Sequence, residues 1–298
     1  MTDVTILTDK RYHLPKNITP YIQNILDESD LLKQALEGAG LSVTRTYWDN
    51  PDYDWSQTRA IVFRTVWDYF ERIDEFRKWL RKVNSETRLI NSLELVEWNI
   101  DKHYLGDLHH KGINIVPTEY VDTGAYRTLD TVCKENRWDN IVIKPAVSGA
   151  AFHTYKLMKD EISSSEALFK ELVSERDMLV QPFISTIPHR GEASLMVFNG
   201  KYTHAILKKA KSGDFRVQDD FGGTVHPYDP SPSEIQFAME VFRACDELPA
   251  YGRADIVWDE DGNHLLSELE IIEPELWIRN HPPAAIPFAE GIKRILES

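Results

Sequence analysis

Arg253-Ala-Asp255-Ile-Val-Trp-Asp259-Glu-Asp-Gly262-Asn-His-Leu-Leu-Ser-Glu268-Leu-Glu270-Ile-Ile-Glu273-Pro274 reads as two β-strands joined by a tight turn. The turn, residues 259–263, is rich in residues that tolerate positive φ. The first strand carries Asp255. The return strand carries Glu268 and Glu270, two positions apart and therefore on one face. A hairpin folds Asp255 back against that face. Three carboxylates in an apolar hairpin cannot stay buried and charged unless a cation joins them. Oxygen donors of this kind suit Mg²⁺, which typically bridges a few carboxylates to substrate phosphates. The hairpin therefore points to a nucleotide–metal site.

Upstream, strand and helix signals alternate. Val4–Thr8, Leu41–Tyr47 and Arg59–Arg64 read as strands. A helix is expected over Leu31–Gly38, capped by Ser29 or Asp30 and ended by Gly38 and Gly40. A second, over Ile73–Val83, carries Phe76, Trp79, Leu80 and Val83 on one stripe. Such alternation predicts an α/β unit with a parallel, Rossmann-like sheet over residues 1–92. Residues 93–184 read as a second lobe. It opens with a helix over Leu93–Lys111, contains the strand Asn140–Lys144, and closes with Met178–Ile184. Residues 185–298 read as a strand-rich third lobe, interrupted by one helix near Ser233–Glu247. The overall class is α/β, with α+β lobes.

Further candidate residues precede the hairpin. In Ile141-Val-Ile-Lys144-Pro-Ala-Val-Ser148-Gly149-Ala-Ala151 a Lys ends an apolar strand and a small-residue loop follows. Backbone N–H groups of such a loop can approach phosphate oxygens, with Lys144 as a point charge. Taken alone, the stretch fits better a plain strand that ends in a Lys before a turn. Lys102, in Trp98-Asn-Ile-Asp-Lys102, reads as a helix residue one turn beyond Asn99. Leu179-Val-Gln181-Pro182-Phe183-Ile184 is an extended lobe linker whose free backbone groups suit an adenine edge. Asn199-Gly200 signals a second hairpin, with Glu192 and Lys208 near its open ends. Arg216 precedes the Gly222-Gly223 pair. Arg64 ends a first-lobe strand where α/β ligands tend to bind, and Trp67 and Asp68 follow it. A substrate contact and a packed strand end with an ion pair are equally good readings of Arg64.

The order of Lys102, Lys144 with its small-residue loop, Gln181-Pro-Phe-Ile, Gly191-Glu192, Arg216, Gly222-Gly223 and Asp255…Glu268-Leu-Glu270 resembles the ATP-grasp superfamily. Within it, the chain is similar to glutathione-synthetase-like and RimK-like ligases. Phe63-Arg-Thr-Val-Trp67-Asp-Tyr69 and Leu266–Pro274 are similar to a subgroup that includes the O-ureido-serine cyclo-ligase. The resemblance implies an ATP-grasp fold with an N-terminal pre-ATP-grasp lobe. It implies ATP phosphates on Lys102, Lys144, Ser148, Gly149 and Lys208, with Lys144 also near the adenine. Adenine would lie along Gln181, Pro182, Phe183 and Ile184, and ribose on Glu192. Arg216 and Arg253 would face the transferred phosphoryl group. Asp255, Glu268 and Glu270 would hold Mg²⁺, with Mn²⁺ as a substitute, and Arg64, Trp67 and Asp68 would meet substrate. The activity implied is ADP-forming ligation of a small carboxylate to an amine through an acyl phosphate. Two departures stand out: relatives often have Asn where this chain has Glu270, and the loop after Lys144 has fewer glycines than usual.

Composition sets the remaining expectations. The formal net charge is −14 over 298 residues, which argues against a nucleic-acid surface. The N-terminus lacks the pattern of a signal peptide and no run approaches a membrane span. Cys133 and Cys245 lie far apart, so a cytoplasmic protein without disulfides is expected. The partners expected are small-molecule substrates, and a homo-oligomer would fit the family. A different reading of the same residues is a nucleotide-binding module that has lost catalysis and serves a regulatory or partner role.

Overall fold

The computed structural model describes residues 1–211 and 223–298. Three sheets organise the chain.

The first sheet has the order β2-β1-β3-β4 and is parallel throughout. It is built from β1 (Thr2–Thr8), α1 (Lys10–His13), α2 (Pro20–Gly38), β2 (Val43–Tyr47), β3 (Thr58–Thr65), α3 (Ile73–Asn84) and β4 (Arg88–Ile90). The apolar runs of β1 and β3 are buried on both faces, as a helix-covered parallel sheet requires. α2 is longer than the sequence suggested. Thr19 caps it by accepting from the Ile22 N–H, and Pro20 occupies the first turn. Ser29 and Asp30 instead lie inside the helix.

The second sheet, β5-β8-β6-β7, is antiparallel. Its elements are α4 (Leu93–Asn99), α5 (Tyr104–His110), β5 (Glu119–Val121), α6 (Leu129–Asn136), β6 (Ile141–Pro145), β7 (Tyr155–Leu157), α7 (Ile162–Glu175) and β8 (Met178–Pro182). The single helix expected over 93–111 is broken. Asp101 Oδ1 accepts the His103 N–H at 3.0 Å, and the Lys102 N–H turns away to the Ala146 carbonyl at 2.9 Å. Lys102 thus sits in a turn between two helices and not on a helix face.

The third sheet, β11-β10-β9-β12-β13, is also antiparallel. It comprises α8 (Ile187–Arg190), β9 (Glu192–Phe198), β10 (Lys201–Lys209), β11 (Thr224–Tyr228), α9 (Pro232–Ala244), β12 (Tyr251–Trp258) and β13 (His264–Glu270). Ser231 and Glu234 form a capping box on α9. The chain ends in α10 (Ala285–Glu297), which the sequence reading did not anticipate. α10 does not stay with the third sheet alone. Phe288, Ala289 and Ile292 share one core with Leu32 and Leu36 of α2, Val4 and Val62 of the first sheet, and Met196, Phe198 and Tyr251 of the third. The second sheet keeps a separate core around Ile141, Phe169 and Val180. Both cysteines are free and buried. Among the described residues no helix is long and apolar enough to cross a membrane.

Candidate functional site

A cleft of about 490 Å³ runs between the second and third sheets and reaches the first lobe at Trp67, Tyr69 and Phe70. β12 and β13 form its floor. Antiparallel register sets Asp255 opposite Glu268 and Arg253 opposite Glu270. One carboxylate oxygen from each of Asp255, Glu268 and Glu270 lies within 4.8 Å of the others. The hairpin expected from the sequence thus brings its three acids together.

Four cations face them. Arg253 clamps Asp255 with two bonds of 2.8 Å, reaches Glu270, and donates to the Glu275 carbonyl at 3.1 Å. Lys208 Nζ, on β10, lies 3.0 Å from Asp255 Oδ2 and also contacts Glu192. Lys102 Nζ lies 3.2 Å from Glu268 and donates to the Ser148 carbonyl at 2.6 Å, so it ties the small-residue loop to the acidic floor. Lys144, half-buried on β6, lines the same cleft with no hydrogen bond or ion pair among the described residues.

The charges do not balance evenly. Burial alone would raise Asp255, but Arg253 and Lys208 outweigh it and hold its carboxyl well below the usual range. Burial is likewise outweighed at Glu268, where Lys102 and Lys144 keep the carboxyl low. At Glu270 burial wins over Arg253, and with Glu268 and Asp255 nearby the group is pushed up to about 7. Glu273 is pushed up to about 8 by burial and by Glu270. Burial lowers Lys144, with Lys102 adding to the effect and Glu268 opposing it. Glu270 and Glu273 thus lack the positive charge that would hold them ionised at this depth. Hard oxygen donors in reach of one another fit a divalent cation such as Mg²⁺, which would supply that charge.

The loop after β6 solves its shortage of glycine by strain. Ala150, Ala151 and His153 adopt φ of 47°, 56° and 47°, a region non-glycine residues rarely enter. Gly149 packs against the Phe70 ring, where a Cβ would meet ring atoms at 2.8 and 2.9 Å. Only glycine allows that approach between the second lobe and the first.

Gln181, Pro182, Phe183 and Ile184 line the cleft, but less of their backbone is free than the sequence suggested. The Phe183 N–H donates to the Asn140 carbonyl at 2.8 Å and the Ile184 carbonyl accepts from Ile187 at 3.2 Å. The Gln181 side chain is turned to Thr118 Oγ1 at 2.8 Å. Glu192 lines the cleft and accepts from Ser267 at 3.1 Å. Trp67 also lines it, donating to the Glu273 carbonyl at 3.0 Å. Asp68 does not line it, because its carboxylate accepts from Trp48 Nε1 at 2.7 Å and from Arg72 at 3.3 Å. Arg64 is buried outside the cleft and pairs with Glu28 at 3.1 Å, as a packed strand end would. Arg216 and Gly222 lie outside the described residues.

Sequence reasoning missed Trp277. It lines the cleft at φ 46°, with Arg253 5.0 Å and Lys208 5.8 Å from its ring. It also missed Tyr12 and Tyr21, whose rings gather on Trp67 at 5.8 and 6.3 Å. No spacing in the sequence links these residues, so only the fold reveals them.

A family model described as the N-terminal domain of D-cycloserine synthetase DcsG matches residues 4–91. The chain is 28% identical over 284 residues to the cycloserine biosynthesis protein DcsG of Streptomyces lavendulae, covering 89% of this chain and 93% of that one. It superposes on the crystal structure of D-cycloserine synthetase DcsG with a TM-score of 0.84 and 27% identity, over 98% of this chain and 99% of that one. The ATP-grasp ligase PsnB, complexed with a phosphomimetic variant of its minimal precursor, Mg and ADP, gives a TM-score of 0.65 at 12% identity, over 99% of each chain. That last likeness is one of fold alone.

Proposed function

Because this chain is a homologue of the cycloserine synthetase DcsG and has the ATP-grasp fold, we propose that it is an ATP-dependent, ADP-forming ligase that joins a small carboxylate to an amine or related nucleophile. The observation that carries this is the opposition of Lys144, unpaired among the described residues, to the Asp255–Glu268–Glu270 cluster across one cleft. A triphosphate needs positive charge on one side and a metal on the other, and the cleft offers both.

The roles follow from position. Lys102, Lys144, Lys208 and the loop at Ser148 and Gly149 would hold the phosphates. Gln181–Ile184 would lie along the adenine, and Glu192 would meet the ribose. Asp255, Glu268 and Glu270 would hold Mg²⁺, or Mn²⁺ in its place. The bound metal supplies charge that offsets the repulsion between the phosphates and an incoming carboxylate. Arg253, fixed by Asp255 and the Glu275 carbonyl, would meet the negative charge of the transferred group, a task that the resemblance, and not its position, also gives to Arg216. In the first step a substrate carboxylate oxygen bonds to the γ-phosphorus as the bond to the bridging oxygen breaks, releasing ADP. In the second the amine nitrogen bonds to the acyl carbon, phosphate leaves, and the nitrogen loses a proton. The protein's part is to keep the reactants in line and exclude water.

ADP release over a panel of carboxylates and amines, for the wild type and for Glu268→Ala and Glu270→Ala, tests the reading. Turnover should appear with one pair and fall at least 100-fold in both variants. Undiminished turnover in the variants would remove the metal assignment. Calorimetric binding of ATP with Mg²⁺ but no ADP release across the panel would favour the non-catalytic nucleotide-binding module.

A further inference from the structure

Behind Trp67 lies a second, smaller cavity of about 20 Å³, lined among others by Asn24, Glu28, Arg45, Arg64, Glu275 and Arg279. It sits at the carboxyl end of the first sheet, between the strands carrying Ile6, Arg45 and Arg64 and the first half of α2. Trp67 and Glu275 line both this cavity and the large cleft, so the small one is a chamber that adjoins the larger.

The chamber has donors to spare. Arg64 is 4% exposed. Its Nη2 is used twice, on Glu28 at 3.1 Å and on the Pro274 carbonyl at 2.8 Å, but its Nη1 is buried with no hydrogen-bond partner among the described residues. Among the described residues, Arg45 leaves both Nε and Nη2 buried and unpaired, and its Nη1 has only a long bond of 3.5 Å to the His13 carbonyl. Burial lowers Arg45 from its ordinary range, with Asp30 and Asp9 opposing. Arg279 is spent on Glu28 and Glu275, at 3.2 and 2.6 Å. Among the described residues that line the chamber, three arginines face two glutamates. An unpaired buried guanidinium N–H forfeits its hydration, so two arginines with three such groups around one small space are a defect unless an anion joins them. Planar N–H forks match a carboxylate.

We propose that the Arg45–Arg64 chamber is a carboxylate pocket, and that it anchors a non-reacting carboxylate of the substrate whose other carboxylate is activated in the large cleft. The carboxylate head would sit in the chamber, and the rest of the substrate would pass Trp67 into the cleft. The shared wall supports this coupling. Arg64 holds the Pro274 carbonyl from the chamber side and Arg253 holds the Glu275 carbonyl from the cleft side. The substrate assignment rests on the ligase reading above; the anion pocket itself does not.

Two measurements on the full chain separate these. Crystals soaked in bromide should show an anomalous peak between Arg45 and Arg64, absent in Arg45→Gln, and competed away by acetate. No peak in the wild type overturns the pocket, whatever the enzyme does. In the ADP-release assay, Arg45→Gln should raise the KM of the carboxylate substrate about 10- to 100-fold, with a far smaller change in kcat and none in the KM for ATP. Arg45→Lys should recover part of the loss. The primary-amide analogue of the anchoring carboxylate should be a poor substrate for the wild type and no worse for Arg45→Gln. Bromide binding with an unchanged substrate KM would overturn the substrate assignment and leave a site for a free inorganic anion. Absence of ADP release with a clear bromide peak would refute the ligase reading while the anion pocket stands.

Discussion

Lys208 and Lys144 are two cleft lysines that should respond with opposite sign to the same substitution. Lys208 is 4% exposed and sits between Asp255, at 3.0 Å, and Glu192. Burial alone would lower it, but Asp255 and Glu192 raise it above its ordinary range. Lys208→Met strands two carboxylates. Breaking a buried pair this way typically costs about 3–5 kcal/mol. Asp255 keeps both bonds from Arg253, so the loss should fall at the low end, about 3 kcal/mol, or a drop in Tm of roughly 10 °C. Lys144 has no partner among the described residues, and burial lowers it. Lys144→Met removes a charge the folded chain holds at a cost, so Tm should stay level or rise. Its ATP affinity should nonetheless fall, by tenfold or more. Melting curves in EDTA, followed by calorimetry with ATP and Mg²⁺, give both numbers. Equal destabilisation in the two variants would refute the charge assignment, as would an Lys144→Met protein that binds ATP normally.

Three further outcomes follow from local geometry. Gly149→Ala would drive a Cβ into the Phe70 ring at 2.8 Å, displacing the loop; KM for ATP should rise, and Phe70→Ala should restore it in the double variant. No rise, or no restoration, would break the link. Gly252→Ala meets Ile271 at 2.7 Å and the Glu270 carbonyl at 2.9 Å, so thermal melts should report a loss of about 1–3 kcal/mol. Burial, opposed by the Leu276 carbonyl and assisted by His281, lowers His204 to about 4. The unfolded chain then takes up the proton first, so His204 weakens the fold as pH drops from 6.5 to about 4. The wild type should lose about 3 kcal/mol more than His204→Gln over that range, and parallel pH–stability curves would contradict it.

The acidic hairpin was legible because everything it needs is local. A period of two, an Asp-Gly turn and an apolar background place Asp255, Glu268 and Glu270 together, and the register confirms the pairing. Lys102 was found as a residue but misplaced on a helix, because its N–H leaves for Ala146, 44 positions away, and no helical period encodes that. The start of α2 was legible in Thr19-Pro20 but was outweighed by the more apolar run from Leu31. Asp68 was read as a substrate contact, yet Trp48 and Arg72 occupy it through contacts that only the folded lobe creates. Arg64 needed its surroundings too: the ion pair with Glu28 joins residues 36 apart, and its orphan Nη1 has no counterpart in sequence.

The last helix, α10, has a mechanical consequence. Its apolar face is held jointly by α2, the first sheet and the third, so those parts share one interior. The second sheet has its own interior and touches its neighbours' mainly through Ala146 and Leu179. Separating the first lobe from the third would expose the side chains of Phe288, Phe198 and Tyr251 to water; swinging the middle one exposes far less. Under the ligase reading, residues 119–182 are then the jaw that the packing leaves to open for a nucleotide, against an anvil made of both ends of the chain.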